Sequence, residues 1–218
     1  MRAYPVAMDA DPVELRVLGC LLEKQRTTPD QYPLSLNGLR LACNQTTNRD
    51  PVVTYDEREI QDALQRLARR GWTRLASGAG SRAAKYRQLF DQALGLGPDE
   101  TALLCVLMLR GPQTVGELNQ RTGRLHSFAG LGEIHETLDR LSERELVERH
   151  ARRPGQKEER YAHLLGADTA ASPHQTEDRD ARVDAPALEQ RVAELEAEVA
   201  RLRVAIERIG RSEAADAG

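Results

Sequence analysis

The stretch Asp56 to Phe90, DEREIQDALQRLARRGWTRLASGAGSRAAKYRQLF, has a second copy at Gly130 to Leu165. A chain that repeats itself in this way must build the same supersecondary unit twice. In the first copy Ile60, Ala63, Leu64 and Leu67 fall at the i, i+3, i+4, i+7 spacing of one buried helical stripe, and Gly71 ends the helix. Trp72 to Ala76 and Ala83 to Phe90 then pair as strands across the turn at residues 77–81. Ile134, Leu138 and Leu141 repeat Ile60, Leu64 and Leu67 at an offset of 74, and Tyr161 and Leu164 repeat Tyr86 and Leu89 at an offset of 75.

The segments upstream repeat as well. Pro12 to Gln25 reads as a helix with Asp11 as N-cap, and Val13, Val17, Leu18, Leu21 and Leu22 as its buried face. Its counterpart, Pro98 to Arg110, aligns without a gap: Glu14 with Glu100, Val17 with Leu103, Leu21 with Leu107. Ser35 to Cys43, capped by Ser35, is echoed by Thr114 to Thr122. Two helices, a third, and a hairpin make a winged helix-turn-helix. The expected fold is therefore mainly α with small β-hairpins, as two tandem winged helix-turn-helix domains at 1–90 and 98–166 joined by a glycine-rich linker at 91–97.

The run VLGCLLEKQRTTPDQYPLSLNGLRLACNQTTNRDPV from Val17 to Val52, then SGAGSRAAKY from Ser77, LMLRGPQTVGEL from Leu107 to Leu118, and the acidic C-terminal stretch occur in the order and spacing of a known group. On these residues the sequence resembles the YceH family of uncharacterised bacterial proteins, over most of the chain. The resemblance implies a tandem winged-helix fold in the bacterial cytoplasm; it brings no activity, cofactor or site residue to carry over.

The C-terminal stretch adds a different pattern. Residues 167–185 are polar, with almost no apolar content, and read as a disordered linker. From 186 to 210, Leu188, Val192, Leu195, Val199, Leu202, Ile206 and Ile209 alternate spacings of 4 and 3, an a/d heptad. β-Branched residues at a and mainly Leu at d favour a parallel two-stranded coil, so a homodimer is expected. Arg191 facing Glu196 and Glu198 facing Arg203 agree. The alternative is that this short helix folds back on its own globular domains.

No GxSxG, HExxH, P-loop or EF-hand pattern occurs, so no enzyme, cofactor or metal is expected. The glycines at 78–80 lie between strands, whereas a phosphate-cradling loop opens a helix. His135 beside Glu136 and Asp139 reads as a solvated helix face. Cys20, Cys43 and Cys105 lack ligand or CxxC spacing and read as buried free thiols. The longest apolar run, Leu103 to Leu109, is far short of the roughly 20 residues that span a bilayer, so a cytoplasmic protein without a membrane partner is expected.

Two partner classes remain. The formal charge of -3 is uneven: residues 1–90 carry 14 Lys/Arg against 10 Asp/Glu, whereas residues 167–218 carry 7 against 12. Within the positive domain the hairpin cations Arg74, Arg82, Lys85 and Arg87, with Arg69 and Arg70 leading in, are the candidate contacts to double-stranded DNA. The third helices are not expected to read bases: Asp56, Glu57, Glu59 and Asp62 crowd the end that would approach phosphates. The second class is a protein partner, met by those acidic helices and by the polar surface of Gln31, Tyr32, Asn37, Arg40, Asn44, Gln45, Asn48 and Arg49. That run reads equally well as a loop satisfying its own backbone.

Overall fold

Asp11 caps the first helix, α1 (Pro12–Thr27), by accepting from the Glu14 amide at 2.8 Å, while the Glu14 carboxylate accepts from the Asp11 amide at 3.0 Å. This reciprocal box satisfies two of the donors that every helix start leaves open. A 3₁₀ turn (Pro29–Gln31) leads to β1 (Leu34–Ser35), α2 (Leu36–Cys43), α3 (Glu57–Arg69), β2 (Thr73–Leu75) and β3 (Lys85–Gln88). A short helix, α4 (Phe90–Leu94), precedes α5 (Pro98–Arg110), α6 (Val115–Thr122), α7 (Leu131–Glu143), β4 (Val147–His150) and β5 (Arg160–His163). The computed structural model describes residues 9–76, 84–152 and 158–166, which are mainly helical with small antiparallel sheets.

The duplication extends to individual bonds. At the end of each third helix the chain reverses through the same contact, Trp72 N–H to Leu67 O at 2.9 Å and Leu146 N–H to Leu141 O at 3.0 Å. Each hairpin then closes alike, Leu89 N–H to Trp72 O and Leu164 N–H to Leu146 O. Glu100 accepts from the Gly97 amide as Glu14 does from Asp11, and Ser35 and Thr114 accept from the amides of Gly38 and Glu117. The segment before each second helix also pairs with the last strand, as β1 in the first copy and as a single bridge in the second. Leu34 lies opposite Tyr86, giving the order β1-β3-β2, and Gln113 bridges Tyr161.

The two copies share one core. The first helices α1 and α5 pack on each other so closely that a Cβ on Gly19 would lie 2.8 Å from the Leu109 side chain. Only glycine leaves room for this approach. The Cys105 thiol donates to Gly19 O, Asp50 N–H to Leu109 O, and Ala10 N–H to Leu165 O, so the start of one copy is tied to the end of the other. Val17, Leu18, Leu21, Leu103, Leu104 and Leu107 are all buried there, each stabilising by about 1.5–3 kcal/mol relative to exposure.

The expected strand to Phe90 and linker at 91–97 need correction. β3 stops at Gln88, and Phe90 and Leu94 place their side chains in the core from α4. Phe90 meets Trp72 edge to face at 5.0 Å, a contact that pulls the segment inward. Gly95, with φ of +61°, ends the helix. The three cysteines are buried and free. The segments 167–185 and 186–210, with the heptad residues from Leu188 to Ile209, lie outside the described residues.

Candidate nucleic-acid interface

β2 and β3 fix which side chains share a face of the first hairpin. Arg74 lies directly opposite Arg87, and Thr73 and Leu75 lie opposite Gln88 and Tyr86. Cross-strand partners point the same way and successive residues alternate, so the sheet has two unlike faces. The inner face holds Thr73, whose hydroxyl donates to Leu64 O, buried Gln88 and half-buried Tyr86. The outer face holds Arg74, Arg87 and Lys85, with Ser35 of β1 opposite Lys85.

Arg74 and Lys85 are exposed and Arg87 is half-buried. Among the described residues none of these three side chains has a carboxylate partner, and the Arg87 Nε is buried without a hydrogen-bond acceptor. Like charges directly opposite in a sheet destabilise it, by the same few tenths to about 1 kcal/mol that opposite charges contribute. Arg69, on the last turn of α3, is also exposed. Arg82 lies outside the described residues.

Arg70 belongs to the fold instead. Its guanidinium bonds the Glu14 carboxylate at 3.3 Å, reaches Asp9, and lies 5.5 Å from the Trp72 ring centroid. Glu14 is only 1% exposed, so its charge requires such a partner. Arg144 repeats the arrangement on buried Glu100 at 3.1 Å. The aligned pairs Glu14/Glu100 and Arg70/Arg144 were the sequence signal for this anchor.

The second hairpin differs from the first. Arg160 bonds Glu117 at 2.8 Å, Arg149 pairs with Glu159 at 3.4 Å, and His150 bonds Glu148 at 2.6 Å. Among the described residues Arg149, His150 and Arg160 thus each meet a carboxylate, which Arg74, Lys85 and Arg87 do not. The third helices expose acids as expected: Asp56, Glu57, Glu59 and Asp62 on α3, and Glu136, Asp139 and Glu143 on α7.

The polar run between α1 and α3 mostly satisfies its own backbone. Asn44 clamps Tyr55 with both ends of its amide, donating to the carbonyl at 2.8 Å and accepting from the N–H at 2.9 Å. The Tyr32 hydroxyl accepts from Gln88 N–H, Asn37 accepts from Arg40, and Gln45 accepts from Arg49. Asn48 takes a left-handed φ of 60° and accepts from Arg110. Arg49 is corrected from surface to interior: it is 6% exposed and grips both oxygens of Glu23. Burial pulls the Arg49 pKa down, but the bond to Glu23 outweighs it and raises it above the ordinary value. Arg16, inside the apolar run of α1, donates beside it to Cys43 O and Pro51 O. Gln31 and Asn37 remain exposed.

Among the described residues no three His, Cys, Asp or Glu side chains gather as a metal site, and no helix is long and apolar enough to cross a membrane.

Residues 10–156 match the family described as "Protein of unknown function, DUF480". The chain is 47% identical over 196 residues to proteins named UPF0502 protein YceH from Salmonella paratyphi B, Salmonella typhimurium and Salmonella typhi. Each match covers 84% of this chain and 90% of the relative. The family match takes in more than half of the chain, from the cap of α1 past β4, and the chain belongs to the DUF480 (UPF0502) family, which includes these proteins named YceH.

Proposed function

We propose that the two copies are tandem winged helix-turn-helix domains of a non-enzymatic, cytoplasmic, nucleic-acid-associated regulatory protein. In this reading Arg69, Arg74, Lys85 and Arg87 of the first copy contact phosphate. The observation that carries it is the outer face of the first hairpin, where two arginines stand opposite each other beside a lysine without any carboxylate. An anion between them would relieve the repulsion and accept charge-assisted hydrogen bonds from the exposed cations. The heptad from Leu188 to Ile209 serves as the dimerising segment, joining two modest basic faces so that the second engages at high effective concentration.

The exposed acids of α3 and α7 favour a second reading, a protein-interaction scaffold whose partner is basic. Electrophoretic mobility of a mixed-sequence duplex at low and moderate salt separates the two. The first reading predicts a complex that salt weakens and that Arg74→Glu with Lys85→Glu abolishes; no complex at low salt rejects it in favour of the scaffold.

A further inference from the structure

Resting on the phosphate-contact reading, we infer that the ligand of the first hairpin is the backbone of a double helix, bound without regard to base sequence. Three placements point the same way. First, the outer face of the sheet carries cations but no aromatic ring. Trp72 is 2% exposed in the core, and Tyr86 alternates to the inner face with Leu34 and Leu75 in register. Proteins that hold single strands stack bases on exposed aromatics, and this face offers nothing to stack on.

Second, the element that would read bases is electrostatically closed to them. The exposed Asp56, Glu57, Glu59 and Asp62 occupy the first turns of α3, so its N-terminal end repels the phosphates lining a major groove. Contacts to phosphate fix position and carry no base information. Third, Lys85 and Arg87 lie two residues apart on one strand, about 7 Å, a length over which each strand of a duplex carries about two phosphates. Arg74, across from Arg87, adds a third contact.

The test is fluorescence anisotropy of the full-length protein with two labelled duplexes of equal length, one a base-shuffled version of the other, and with one of their single strands. The inference predicts affinities for the two duplexes within about threefold, far less than the roughly thousandfold or greater preference that base reading supplies. It also predicts weaker binding of the single strand and a slope of log affinity against log salt of at least about 3 in magnitude, the share of the three sheet contacts on one face. Equal or tighter binding of the single strand, or a large preference for one duplex, overturns the inference while leaving phosphate contact standing. No binding to any of the three at low salt removes the phosphate-contact reading as well.

Discussion

Arg74 and Arg87 face each other across two strands, and replacing one tests what they are for. Arg74→Glu turns a repelling cross-strand pair into an attracting one. Thermal unfolding should therefore show it as stable as the parent or more so, by up to about 1 kcal/mol. A marked loss of stability would mean that Arg74 has a structural role instead. His163 makes a second residue-level case. It is 6% exposed on β5, its Nδ1 accepting from Leu165 N–H, and burial pushes its pKa down to about 4 from an ordinary 6.5. The folded state holds the neutral ring, so this contribution is complete above about pH 6.5 and is lost as pH falls towards 4. It amounts to about 3 kcal/mol over that window. Urea unfolding at pH 7 and pH 4.5 should show the drop in the parent and a smaller drop in His163→Leu; equal drops would contradict it.

At the scale of elements, α5 runs from Pro98 to Arg110 as its repeat alignment predicts, because proline, an acidic first turn and an unbroken apolar face all mark the same ends. The third helices and their hairpins were legible for the same reason, each carrying a period and a stop. β1 is hidden in sequence, since two residues are too few to show alternation, and α4 is hidden because Phe90 continues the apolar pattern of the strand while Gly95 and Gly97, just beyond the helix, mark a linker. The buried charges were the larger omission. Arg16 and Arg49 look like surface residues in sequence, and only the packing of α1 against α2 and its following loop encloses them, with half-buried Glu23 as the partner of Arg49. The outer face of the first hairpin was legible as a basic segment, but which cations stay free required the partners to be seen. Glu14 and Glu100 link this lesson to a prediction. Each caps its helix and holds an arginine from the end of the third helix, so Glu14→Ala and Glu100→Ala should each cost about 3 kcal/mol in denaturant unfolding. A negligible loss in either would break the equivalence of the two anchors.

For the whole molecule, the shared core of the two copies means that the unpaired cations of the first hairpin and the ion-paired Arg149 and Arg160 of the second are carried on the same body. One basic face per chain makes few phosphate contacts, and a second chain is what would raise the avidity. Deletion after Asp184 should accordingly halve the mass in light scattering and weaken duplex binding; unchanged mass would refute the dimer. The most direct test of the central claim is the salt dependence of duplex affinity for the parent and for Arg74→Gln with Lys85→Gln. If these side chains contact phosphate, the slope of log affinity against log salt shrinks by about 1.8 for each face that engages, two contacts being removed from it, while the melting temperature holds. An identical slope in the two proteins would contradict the account.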